Sequence, residues 1–305
     1  MSIQNEGRAR HPRQASPPRP TLMVGDLTQC QAALVRLQRQ CADLLQGTAG
    51  PISWEDLVPR FRALRESLLS NNAPLPLSVA ALEASSEACL RAGNFAEFLK
   101  AAQQLVHVCY PALAADEKVS TDLGQMHLSD SNSSSNGALG NGDMRHNLGA
   151  ARRWPEFCGA FLLHFVCIPA SPEGMDIAAV LRALPHSLQR CPQVSFALQA
   201  HAAATQHDCF RFLKLHSEGT WMQQAIMEPR LQQMRHRAIS VFGSAYRNLS
   251  IRAALQLLCL PSIATEQLLA LLKACSERGI ASAQRALSAA QMADPAQLQM
   301  LVFRA

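Results

Sequence analysis

CPQVSFALQAHAAATQHDCFRFLKLHSEGTWMQQAIMEPRLQQMRHRAISVFGSAYRNLSIRAALQLLCL, residues 191–260, is the stretch whose reading decides the fold. A helix of small residues comes first. A short polar break follows, then an aromatic helix carrying Phe210, Phe212 and Leu213. A long basic helix over Arg230–Arg247 comes next, and Asn248-Leu249-Ser250 is an N-cap signal opening an apolar helix. Helix after helix, with short breaks and no catalytic motif, describes a scaffold more readily than an enzyme.

Outward from this stretch the pattern stays helical. Leu27, Cys30, Leu34, Leu37, Cys41 and Leu44 recur at steps of three and four, which predicts an amphipathic helix from Asp26 to Leu45. Further helices are predicted over Glu55–Leu69, Ser78–Ala92 and Phe95–Tyr110, the last closed by Pro111. Trp154–Ile168 reads as an apolar helix with Pro155 in its first turn, and Met175–Leu184 as another after the turn Pro169–Gly174. Three places share a helix-opening pattern, at Gly25-Asp26, Gly93-Asn94 and His207-Asp208. In each, Asp or Asn is placed to cap a new helix. The first two lie about two tetratricopeptide periods apart, but the third is out of phase, so the chain reads as an irregular solenoid of helical hairpins.

Composition agrees. Hydrophobic residues make up 48% and aromatics only 5%, so Ala and Leu, both good helix formers, supply most of the core. The net charge is +5 over 305 residues, which permits nucleic-acid contact without requiring it. Ten cysteines are scattered without a CxxC pair, and most fall on apolar faces, so they read as reduced, buried thiols. No secretory signal is read at the N-terminus. The longest strongly apolar run, Phe157–Ile168, is too short to cross a bilayer.

The chain divides into a basic arm (1–21) with Arg8, Arg10, Arg13 and Arg19, a helical-repeat scaffold (22–247), and a terminal module (248–305). The scaffold is interrupted at 115–150 by a Ser/Asn/Gly-rich insert, a surface loop whose serines are also candidate phosphorylation sites. In the terminal module an apolar helix over Leu249–Leu260 is followed by a break at Pro261. A second helix then starts at a cap on Ser262 or Thr265 and stops at Arg278-Gly279. A polar stretch and strand material at Leu298–Phe303 complete the pattern of a winged helix.

Three segments carry a family resemblance. SVAALEASSEACLRAGNFAEFLKAAQQLVHVCY (78–110) resembles a helix, Gly-Asn and second helix ending in Tyr. PEFCGAFLLHFV (155–166) resembles a Glu-Phe-x-Ala-Tyr-x-Leu-Leu helix. The opening stretch resembles an Ala-Leu helix, an Arg-Phe-Phe-x-Leu motif, a basic helix and the entry to a winged helix. Together they resemble the Sac-three/GANP/Thp-three family of PCI-type scaffolds, with the closest likeness to its Thp-three and leukocyte-receptor-cluster branch, over roughly residues 50–280. The family's usual Gly-Asn before Arg-Phe-Phe is His207-Asp208 here.

The resemblance implies an all-α, TPR-like solenoid ending in a PCI-like winged helix. It also implies a non-catalytic scaffold role in a nuclear mRNA-processing, mRNA-export or transcription-coupled complex. The implied partner is another PCI-domain protein; no cofactor, membrane or small-molecule substrate is expected. Ile251, Leu255, Leu258, Leu268 and Leu272 are the candidate partner interface, and Arg230, Arg235, Arg237, Arg247 and Arg252 the candidate RNA contacts. A solvated face is the plainer reading of the same arginines. Phe212 is expected in the core rather than stacked on bases, and His164 is expected to be a core histidine. No HExxH, P-loop or GxSxG is present, so neither a metal site nor an active site is expected. A proteasome-lid subunit of the Rpn-twelve type has the same architecture and is the alternative reading.

Overall fold

A computed structural model of the chain describes residues 26–48, 50–116, 151–168, 177–261, 264–292 and 300–303. The basic arm, most of the insert and the turn at 169–174 lie outside the described residues. The described part is almost entirely helical.

The first three helices form a small layer of their own. Helix α1 (Leu27–Gln46) is capped by Asp26, whose carboxylate accepts from the Thr28 N–H at 2.6 Å. It ends where Gly47 takes a left-handed φ of +70°, which glycine adopts without a Cβ clash. Helix α2 (Trp54–Ser70) opens on a Ser53–Asp56 capping box. Helix α3 (Leu75–Arg91) begins after Pro74. Cys30, Leu34 and Leu37 of α1 meet Leu57, Phe61 and Leu64 of α2 and Ala81 and Ala88 of α3 in a separate apolar cluster.

The main core is one continuous cluster from Val58 to Phe303. Helix α4 (Phe95–Gln104) is capped by Asn94, whose side chain accepts from the Glu97 N–H. The predicted stop at Pro111 is not there: the chain stays helical to residue 116. The reason is a π turn over Leu105–Cys109, in which the Tyr110 N–H reaches back to the Leu105 carbonyl. The widened turn takes up the register shift that a proline without an N–H requires.

Helix α5 (Trp154–Cys167) is buried on nearly every side, between α4, α8 (Pro192–Thr205) and α10 (Trp221–Ala245). Two short helices, α6 (Ile177–Ala183) and α7 (His186–Gln189), bridge α5 to α8. Helix α9 (Cys209–Glu218) is capped by Asp208. His207 holds φ +62°, matching Gly93 at +66° before the Asn94 cap, so the two helix openings share one backbone shape despite the residue change.

Helix α10 is longer than predicted at its start, with a Thr220–Gln223 capping box, and it ends at Ala245, before Arg247. Its start is tied to the first layer. The Arg91 guanidinium lies 4.0 Å from the Trp221 ring centroid and 5.3 Å from that of Trp54, so one cation links α2, α3 and α10. Two half-exposed cation–π contacts are worth about 1–2 kcal/mol together. Arg91→Ala should lower stability by about that amount and change tryptophan emission in a urea titration; an unchanged midpoint would show that the stack contributes nothing.

The terminal module keeps part of the predicted pattern. Strand β1 (Asn248–Ser250) pairs antiparallel with β2 (Met300–Val302), with Leu249 opposite Leu301. Between them run α11 (Ile251–Leu257), capped by Ser250, then α12 (Thr265–Glu277) and α13 (Ala281–Met292). Helix α11 is shorter than predicted because residues 248–250 join the sheet. Of the two predicted caps of α12, Thr265 is corrected, since the N-cap is Ala264, without a side-chain cap, and Thr265 is already helical; Ser262 lies outside the described residues. The stop at Gly279, φ +79°, is present. Helix α13 occupies the stretch read as polar linker, and one strand follows it among the described residues. The described module is therefore three helices and one antiparallel pair of short strands, with α13 where a winged helix carries its hairpin. The module shares the main core: Phe303 packs 5.9 Å from Phe242 of α10, and the Phe303 N–H donates to the Arg247 carbonyl.

Candidate nucleic-acid interface

Helix α10 presents its apolar residues to the core and its cations outward, but not uniformly. Leu231, Met234, Ala238 and Phe242 are buried as predicted, whereas Val241 and Ala245 of the predicted apolar face are exposed. The five arginines singled out by sequence divide into three situations.

Arg230 does not reach toward phosphate. Its Nη1 donates to the Val166 carbonyl near the C-terminal end of α5, a position where helix carbonyls lack intrahelical partners and attract cations. Arg235 is half-buried between α10 and α12. Its Nε is sheltered from solvent and has no hydrogen-bond partner, and burial pushes its pKa below the ordinary arginine value despite the nearby Glu228 carboxylate. Arg237, Arg247 and Arg252 are exposed. These three, one on α10, one just past its end and one on α11, are the arginines free to meet an extended anion.

Sequence reasoning missed the contact that joins α10 to α12. Arg278 Nη1 lies 2.8 Å from His236 Nδ1. A guanidinium only donates, so Nδ1 accepts and the imidazole is the neutral Nε2–H tautomer. Burial, and then the Arg278 charge, hold His236 below its ordinary pKa. The only sequence signal for Arg278 is its place before a helix-ending glycine, which says nothing about where its side chain goes. Nearby, His216 Nε2 lies 3.2 Å from Glu228 Oε2.

The candidate partner residues are placed differently from the prediction. Ile251, Leu255, Leu258, Leu268 and Leu272 are all buried within the chain, the last three completely. Their helical spacing marks a buried face, and here that face is buried by α10 and the rest of the module. Phe212 is fully buried, and Phe210 stacks on Phe242 at 5.7 Å, so the aromatic helix belongs to the core as read. His164 is a core histidine, but its Nδ1 has no partner in the structure, and burial pushes its pKa down to about 4. The buried thiols are protonated at neutral pH; burial raises Cys89 to about 11 and Cys167 to about 12.

Among the described residues, no helix is long and apolar enough to cross a membrane. No curated protein and no solved structure matches the chain significantly. Residues 142–282 do match the model of the SAC3/GANP family. That match begins later than the resemblance read from sequence, so α1–α4 lie outside it. It takes in α5–α12, the exposed arginines and the Arg278–His236 contact. Over residues 142–282, then, the chain is similar to the SAC3/GANP family.

Proposed function

We propose that this chain is a non-catalytic scaffold subunit of a nuclear mRNA-export or mRNA-processing complex. It holds a second PCI-type helical protein through the exposed side of the 248–303 module and contacts RNA through Arg237, Arg247 and Arg252. The observation that carries the reading is the SAC3/GANP match across α10 and into the terminal module, where the exposed cations stand. The buried leucines of α11 and α12 support a rigid module that offers a fixed surface. The proteasome-lid alternative shares the architecture, but the family match favours the mRNA reading. Affinity purification of the tagged chain tests it: recovery with mRNA-processing factors is expected, and recovery of lid subunits in fixed stoichiometry would overturn it.

RNA contact has its own test. Each phosphate contact on a single strand contributes about 0.7 to the slope of log K against log salt. Replacing Arg237, Arg247 and Arg252 together by Ala should lower that slope by roughly 2 in an oligouridine titration. Replacing Arg230 should leave it unchanged, since that guanidinium is committed to Val166. An unaltered slope in the triple variant would remove all three arginines from the interface.

A further inference from the structure

Between α10 and α12 lies a cleft of about 620 Å³ with an unusual charge pattern. Arg235 and His236 stand on one wall and Arg278 on the other, with Gln267 as a neutral donor and Leu260 and Leu271 as apolar sides. Among the described residues, no acidic side chain lines it. The nearest carboxylate acting on Arg235 is Glu228, which is exposed and already engaged with His216. Two guanidiniums thus share a recess with no counter-charge among the described residues of its lining. One has an Nε sheltered from water and unpaired, and the other is held in place by a neutral imidazole. Leaving Arg235 half-buried with its Nε unsatisfied is costly unless an anion completes it.

We propose that this cleft is a binding site for a phosphorylated side chain, phosphoserine or phosphothreonine, of a partner protein. Arg235 and Arg278 bind the phosphate and His236 positions Arg278. The inference goes beyond the RNA reading and uses different residues. Charge decides the ligand class. A phosphomonoester carries a charge close to −2 at neutral pH and three acceptor oxygens, enough to neutralise both arginines from one group. A phosphodiester brings a single charge, and a nucleic-acid strand is met more directly by the exposed Arg237, Arg247 and Arg252. Planar guanidiniums converging from two elements are a recurrent way of reading phosphorylated peptides. The apolar sides of the cleft suit the residues flanking the phosphate.

The test uses the full chain and three fluorescent probes: a degenerate peptide pool with a central phosphoserine, its unphosphorylated twin, and oligouridine without terminal phosphate. The phosphopeptide pool should bind at least about tenfold more tightly than its twin, the scale of one charge-assisted contact, and inorganic phosphate should displace it. Arg278→Gln is the informative variant, because Arg278 is exposed at a helix end. It should weaken phosphopeptide binding about tenfold. His236→Gln should weaken it less, and Arg237→Gln should leave it unchanged. Equal binding of the two peptide pools, or an Arg278→Gln variant that binds like the parent, overturns the proposal. So does a cleft whose variants lose oligouridine while showing no preference for the phosphopeptide. Failure of the RNA reading would appear separately, in the salt slope of the Arg237/Arg247/Arg252 variant.

Discussion

Glu97→Ala should destabilise the chain by about 3–5 kcal/mol, the usual cost of removing one partner from a buried ion pair. Glu97 sits in the first turn of α4 with its side chain 11% exposed. Its carboxylate lies 2.6 Å from Arg65 and 2.7 Å from Lys100, with Arg62 at 3.8 Å. Lys100 and Arg62 are well exposed and lose little when the carboxylate goes. Arg65 is different: its side chain is 12% exposed, and its Nε already lacks a partner, so it would be left charged and uncompensated. Thermal unfolding should fall by on the order of 10 °C. An Arg65→Met, Glu97→Leu double variant should recover a good part of the loss, because a buried pair exchanged for apolar residues of similar size is often neutral. A Glu97→Ala variant within about 0.5 kcal/mol of the parent, the ordinary range for surface substitutions, would show that the pair contributes nothing.

The same residue sets part of the acid response. Burial alone would raise the Glu97 pKa, but hydrogen bonds from Lys100 and Arg65 and their charges outweigh it and hold the carboxyl below its ordinary 4.5. A lowered carboxylate pKa means stability that is present above 4.5 and lost as pH falls through the folded value. His164 acts in a higher window. Its folded pKa is about 4 against an ordinary 6.5, so the neutral form is favoured in the fold, and stability declines as pH falls from 6.5 toward 4. Acid unfolding of the parent should therefore begin before the carboxylates titrate, and Glu97→Ala should flatten only its lower part.

Much of the fold was legible because local chemistry and tertiary structure agree. Asp26, Asn94 and Asp208 were readable as caps from residue type alone, and all three side chains accept from the helix they open. Ser250 and Gly279 likewise mark the start of α11 and the end of α12. The failures have a common cause. Periodicity says which face of a helix is buried but not what buries it, so Leu255 and Leu268 could be assigned to a partner when their own chain covers them. An arginine off the apolar face could be solvated, as Arg237 is, or spent on a helix-end carbonyl, as Arg230 is; only the position of α5 decides. Pro111 is a helix stop in isolation and is tolerated here because a π turn precedes it. Helix α13, rich in Ala, Ser and Gln, has little apolar contrast, and its place follows from a close contact with α10.

That contact and its counterpart on α5 lead to the second large effect. Gly159→Val should cost about 3 kcal/mol or more, the upper range for overpacking, although leaving glycine mid-helix would by itself gain up to about 1 kcal/mol. A Cβ at Gly159 would stand 2.6 Å from the Gln193 carbonyl oxygen and 2.8 Å from its carbon. Both atoms are backbone at the start of α8, so relief requires the helices to separate. Separation would open the contact lined on α8 by Val194, Ala197, Ala200 and Ala204, all nearly or fully buried. Gly159→Ala should already be destabilising, by about 1–2 kcal/mol. Gly243 on α10 provides the contrast. There a Cβ would meet the Ser282 side chain of α13, with the Ser282 Cβ only 2.0 Å away, while the Ser282 Cα is at 3.5 Å. Gly243→Ala should therefore be rescued in large part by Ser282→Gly, because the obstacle is a side chain that can be removed. No single substitution at Gln193 should rescue Gly159→Ala, since its carbonyl remains. Measured by denaturant unfolding as two double-mutant cycles, the Gly243–Ser282 pair should couple by about 1 kcal/mol or more and the Gly159–Gln193 pair by much less. Equal coupling in the two cycles would mean that side chains, not backbone approach, set the distance between α5 and α8.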